Sequence, residues 1–242
     1  MQANEAAWYD DHYQQIQTAE WVCWYKFSLP YLRSILNPQS KLVELGCGQG
    51  PLLRHLAREK LLPEENIHGM DQSRTAVDFL KRALPKAHVD TGDIYQLPHA
   101  KESFDVCLLM ETIEHLEEPV TALKQIIDVM KPGGSLLVSY PNFPRLDWRL
   151  FRFLAERLNR PKWVVLQPID KIYRVGEVVE IVERAGFRFE QGVGSGYGPP
   201  FFYRFETDWM TRALNALGLW RLSFHPIMVF RKIPQTSHAA TR

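Results

Sequence analysis

Short apolar runs and amphipathic stretches alternate along most of the chain. "KLVELG", "NIHGMD", "AHVDTGD", "FDVCLLM" and "SLLVSYP" read as strands, joined later by "FRFEQGV" and "SFHPIMVFRK". Between them, "GPLLRHLAREKLL", "SRTAVDFLKRAL", "PVTALKQIIDVM" and "RVGEVVEIVERAG" repeat apolar residues three and four apart, which predicts helices. Ser73 stands where the second of these would be capped. The strand runs are continuously apolar, as in strands covered on both faces. Strand–helix alternation at this spacing predicts an α/β fold, a doubly wound, mainly parallel sheet of seven strands.

The rhythm also divides the chain. Residues 1–40 form an aromatic-rich helical cap in which Trp21, Trp24, Tyr25 and Leu29 share one apolar face before Pro30. A core spans 41–141, a cap insertion follows over 142–170, and 171–235 completes the core around a second insertion at about 195–222. "GVGSGYGPP" (192–200) leads into prolines rather than a helix, so it predicts a hinge or loop. The whole reads as one domain, and 242 residues suffice for a large core.

Composition narrows the class without naming it. The chain is 45% hydrophobic and 24% charged, ordinary for a globular protein. A net charge of +1 points neither to nucleic acid nor to an anionic membrane. Cys23, Cys47 and Cys107 have no paired spacing, which suits a reducing compartment. The N-terminus lacks a signal-peptide pattern, and no run approaches the roughly 18–20 apolar residues of a membrane span. The expectation is a soluble cytoplasmic protein.

"VELGCGQG" places Gly46, Gly48 and Gly50 between the first strand and its helix. Glycines there permit a tight turn and close backbone approach, while the helix N-terminus offers free N–H groups. Asp71 follows 21 residues after Gly50, at the end of the second strand, where a carboxylate can accept both hydroxyls of a ribose. Dinucleotide-binding enzymes share both features. "GDIYQLP", with Asp93 and Ile94, and "KPGG" before the fifth strand separate the two classes.

As an ordered set over residues 40–190, these motifs resemble the class I S-adenosylmethionine-dependent methyltransferases, and among them the ubiquinone-biosynthesis O-methyltransferases. The resemblance implies that Glu44 and the Gly46–Gly50 loop hold the methionine part of the cofactor, with Cys47 as a small filler rather than a nucleophile. Asp71 would take the ribose, and Asp93 with Ile94 the adenine; Gln72 and Met110 complete the implied set. The product would be S-adenosylhomocysteine.

"METIEHLEEP" leaves the fourth strand where the transferable methyl would lie. Three readings stay open: a plain turn and helix start, His115 as general base beside Glu111 and Glu114, or a divalent cation shared by all three. Spacings of three and four put these groups on one face if the segment is helical. E-x-x-E-H here looks like the metal-dependent ubiquinone and small-RNA 2′-O-methyltransferases, which would implicate Mg²⁺ or Mn²⁺. Asp170, in "PIDKIYRV", stands near where the RNA enzymes place another histidine.

The expected partner is a small-molecule methyl acceptor with a reactive oxygen. Aromatic residues of the cap and insertions, among them Trp148, Trp163, Tyr203, Phe205 and Trp209, would enclose it. The late helix "TDWMTRALNALGLW" could instead rest on a membrane surface. The alternatives are a metal-assisted RNA ribose methyltransferase, a catalytically silent cofactor-binding protein, and an NAD-dependent oxidoreductase. The last is disfavoured because Pro51 stands where the last glycine of GxGxxG would follow.

Overall fold

A computed structural model describes residues 3–15, 23–142, 150, 153–154, 157, 168–197 and 207–233. Trp21, Trp148, Trp163, Tyr203 and Phe205 lie outside them, and so do most arginines of the first insertion. The described helices are α1 (Ala3–Gln15), α2 (Leu29–Ile35), α3 (Pro51–Arg58), α4 (Arg74–Ala83), α5 (Pro119–Val129), α6 (Val175–Arg184) and α7 (Asp208–Ala216). The strands are β1 (Leu42–Leu45), β2 (Ile67–Asp71), β3 (His88–Thr91), β4 (Phe104–Met110), β5 (Met130–Ser139), β6 (Phe187–Ser195) and β7 (His225–Lys232).

They form one seven-stranded sheet in the order β3-β2-β1-β4-β5-β7-β6. β1 to β5 run parallel, and β7 runs antiparallel to both β5 and β6. Every residue of β1 is buried, as its unbroken apolar run predicts. One apolar cluster joins α5 and α6 to the sheet, and a second joins α2, α3 and α4 to it. Ser73 caps α4 as expected, its hydroxyl accepting from the Ala76 N–H at 3.2 Å.

Three local expectations change. Pro30 does not end a helix; it sits in the first turn of α2, where its missing N–H is harmless and its fixed φ fits. Residues Cys23–Phe27 form a 3₁₀ turn ahead of it. "GVGS" is the end of β6 rather than a hinge. A Cβ on Gly192 would lie 2.5 Å from the Trp220 ring, and one on Gly194 would lie 2.2 Å from Ser223 Oγ. These glycines let the 3₁₀ turn Leu219–Leu222 press against the strand. Among the described residues, no helix is long and apolar enough to cross a membrane.

Candidate active site

Parallel strands deliver their following loops to one edge of a sheet, and the candidate groups gather there. Gly46, Gly48 and Gly50 have φ of 73°, 50° and 62°, a left-handed path that favours glycine. The loop folds back on β2: the N–H groups of Gly46 and Cys47 both donate to the Met70 carbonyl, at 2.8 and 3.1 Å. A side chain at Gly46 would meet Thr112 Oγ1 at 2.5 Å, so the cofactor loop and the β4 turn are packed without slack.

Asp71 organises this loop from inside. Its Oδ2 accepts the Gly48 N–H at 2.7 Å and its Oδ1 accepts the Ser73 N–H at 2.8 Å. Burial still raises its carboxyl above the ordinary value against the lowering pull of these bonds. Glu44, 2% exposed in β1, lies close by. Burial first, then the Asp71 charge, push its carboxyl up to about 8. Glu44 Oε2 has no hydrogen-bond partner among the described residues. An orphaned buried carboxylate oxygen beside a glycine cradle fits the ammonium and carboxylate of an amino-acid moiety.

The remaining cofactor candidates sit in sequence around this edge. Asp93 is half-buried two residues past β3, its Oδ1 accepting the Tyr95 N–H at 2.9 Å, and Ile94 is buried beside it. Gln72 directly follows Asp71, and Met110 ends β4 in a buried position. Cys47 is buried, and burial, with Asp71 and Glu44, raises its thiol well above the usual range, which suits filler rather than nucleophile.

Helix α1 contributes residues with no marker in the sequence. Asp10 Oδ1 accepts the Ser73 hydroxyl at 2.6 Å and the Thr75 N–H at 2.9 Å, tying α1 to the start of α4. This places Tyr13 over the cofactor loop, its hydroxyl 2.4 Å from where a Gly48 Cβ would stand. Asp10→Ala is expected to weaken S-adenosylhomocysteine binding about tenfold in calorimetry, the worth of one charge-assisted hydrogen bond. Hydrogen exchange in residues 3–15 should rise with it. Unchanged affinity would separate α1 from the cofactor site.

The "METIEHLEEP" segment is not one helical face. Glu111 has φ 51°, which turns the chain as it leaves β4, and only Ile113–His115 forms a 3₁₀ turn. Glu111 is thereby aimed away from its neighbours: Oε1 accepts the Ser139 hydroxyl at 2.7 Å, and Oε2 lies 3.3 Å from His225 Nδ1. Glu114 is 1% exposed, and burial, then Glu111 and Asp170, hold its carboxyl well above the usual carboxylate range. His115 Nδ1 lies 2.7 Å from the Ile169 carbonyl oxygen, and Nε2 lies 3.5 Å from Glu114 Oε1. Burial lowers the His115 pKa. Both shifts favour the uncharged forms of this adjacent pair.

This geometry corrects the expected metal cage. Among the described residues no three His, Cys, Asp or Glu side chains come together so as to hold an ion. One of the three readings set Glu111, Glu114 and His115 on one face of a helical turn, with Asp170 as a further candidate ligand. The left-handed residue at Glu111 and the tighter 3₁₀ turn remove that face.

The family described as "Methyltransferase domain" matches residues 43–138, from β1 to the end of β5. Residues 43–138 thus match a methyltransferase domain, in the fold of the class I S-adenosylmethionine-dependent methyltransferases. An S-adenosylmethionine-dependent methyltransferase of Mycolicibacterium smegmatis is 28% identical over 164 residues, covering 65% of this chain and 55% of that protein. The ubiquinone biosynthesis O-methyltransferase of Erwinia tasmaniensis is 26% identical over 164 residues, 66% of each chain. A chain of the solved complex that contains the Haloferax volcanii Trm112 methyltransferase activator superposes with a TM-score of 0.65. It is 19% identical, and the match covers 96% of this chain and 99% of that one. The chain spans about half the length of the curated relatives it matches. The dinucleotide reading of the glycine loop ends with this assignment.

Sequence reasoning missed Asp10, Ser139 and His225, and it counted Tyr13 among the aromatics enclosing the acceptor rather than over the glycine loop. Ser139 and His225 end and begin strands that carry no polar motif, and only the antiparallel return of β7 brings them to the same edge. Trp209 was expected to line an acceptor pocket, but it is 70% exposed.

Proposed function

We propose that this methyltransferase acts on a small molecule and transfers the methyl group to an oxygen. The observation that carries the reading is Glu111: a partly exposed carboxylate, fixed by Ser139, at the edge where the acceptor must approach. Buried Tyr25 and Tyr140 feel its charge, so the surroundings combine aromatic surface with a group able to orient a hydroxyl. The name of the Erwinia tasmaniensis relative, an O-methyltransferase, supports the same class of acceptor.

When bound, S-adenosylmethionine supplies a sulfonium-activated methyl group. Glu44 would meet its ammonium, the Gly46–Gly50 loop its carboxylate, Asp71 its ribose, and Asp93 with Ile94 its adenine. Glu114 and His115 brace the β4 turn that presents Glu111. Catalysis then rests on positioning and on removal of the acceptor's proton. The RNA ribose reading rested on the metal cage and loses that support.

The test is a panel of phenols, catechols, carboxylates, amines and activated carbons with methyl-labelled cofactor. Label is expected in an ether or ester oxygen, with Glu111→Gln slowing turnover roughly 100-fold through loss of the charge that orients the groups at this edge. Label found solely on nitrogen or carbon would overturn the oxygen assignment.

A further inference from the structure

We propose that His225 takes the acceptor's proton, with Glu111 as the residue that positions it. This inference rests on the oxygen-acceptor reading above. β7 runs opposite to the parallel strands, so its first residue, rather than its last, reaches the carboxyl edge. His225 pairs in register with Ser195, and Ile227 with Ser139 at the end of β5. This sets the imidazole beside Glu111, Nδ1 to Oε2 at 3.3 Å.

Glu111 is over-determined. Its N–H donates to the Ser139 carbonyl at 3.0 Å, its Oε1 accepts the Ser139 hydroxyl at 2.7 Å, and its backbone keeps φ 51°. A non-glycine residue in that region is strained and persists only where neighbours enforce it. The result is a serine–carboxylate–imidazole cluster in which Glu111 Oε2 stands 3.3 Å from His225 Nδ1, at charge-contact distance though not aligned as a hydrogen bond, and its charge favours the tautomer protonated at Nδ1, with basic Nε2. Contacts of this kind are often long before the acceptor binds. The opposite edge of the ring passes Gly196, where a Cβ would lie 3.6 Å from His225 Cδ2. That edge therefore faces Gly196, just past the end of β6. His225 and Glu111 side chains are 13% and 20% exposed, whereas Glu114 is closed off at 2%.

In the step this allows, the acceptor O–H bond breaks and its proton goes to Nε2. The oxygen lone pair forms the new O–CH₃ bond as the methyl–sulfur bond breaks. That bond pair stays on sulfur, leaving S-adenosylhomocysteine and imidazolium. Nothing is oxidised or reduced.

The test uses the full chain with His225→Ala and His225→Gln. Both should bind S-adenosylhomocysteine within about twofold of the parent by calorimetry, while kcat for the best oxygen acceptor falls about 10²–10⁴-fold with little change in KM. Added imidazole should restore part of the His225→Ala rate, which a structural role would not. Nitrogen NMR of the protein without cofactor should show His225 protonated at Nδ1, and Glu111→Ala should abolish that preference. A parent-like kcat in both variants, or an Nε2–H tautomer in the parent, would overturn the proposal. The oxygen-acceptor reading fails separately, if the parent methylates nitrogen or carbon alone.

Discussion

Asp71→Ala is expected to weaken S-adenosylhomocysteine binding by at least about 100-fold in calorimetry. The side chain holds the glycine loop through Gly48 and the start of α4 through Ser73, and it is the candidate ribose acceptor. A hydrogen bond to a charged group is worth about 1.5–3 kcal/mol, so losing two already exceeds a roughly 100-fold change. Removal also leaves two amide donors without their acceptor, and the melting temperature should fall. Asp71→Asn retains one carbonyl acceptor, and its affinity should lie between parent and alanine variant. Equal affinity in all three would remove Asp71 from the cofactor site.

The second large effect is a pH dependence centred on Glu44. Its carboxyl titrates at about 8 in the fold against 4.5 for the ordinary group. Between those values the folded chain keeps a proton that the unfolded chain has released. The stability from this group is therefore fully present below pH 4.5 and is lost as pH rises through 8. The slope is at most about 1.4 kcal/mol per pH unit. Glu44→Gln should reduce the slope of urea-unfolding stability across this window by up to that amount, leaving the contributions of Glu114 and Asp71, whose carboxyls are also raised. Cofactor binding opposes the trend, because an ammonium partner favours the ionised form. Calorimetry at pH 7 in buffers of different ionisation enthalpy should show proton release with the parent and little with Glu44→Gln. An unchanged stability slope in Glu44→Gln would assign the effect elsewhere.

These results would test two halves of the site that differed in legibility. Gly46, Gly48, Gly50, Asp71 and Asp93 stand at the ends of consecutive parallel strands, each readable from a local apolar run and the turn after it. Their order along the chain is also their order along the sheet edge, within one sequential stretch. The "GVGS" glycines show where local reading failed. A glycine that opens a turn and one that admits a neighbouring ring look alike until Trp220 is placed against the strand.

The chain's own pattern of apolar runs, helix spacings and strand-end acids determined the α/β sheet and the cofactor half of the site. Parallel strands with crossover helices leave few places for those loops to go. Only the tertiary structure decided which groups stand at the proposed acceptor edge. One left-handed residue redirected Glu111 and undid the cage that its spacing implied. His225 reached Glu111 because a distant strand entered the sheet in the opposite direction. Asp10 and Tyr13 reached the cofactor loop through long-range packing of α1. Contacts of this kind depend on which surfaces meet in space, and no local spacing encodes them.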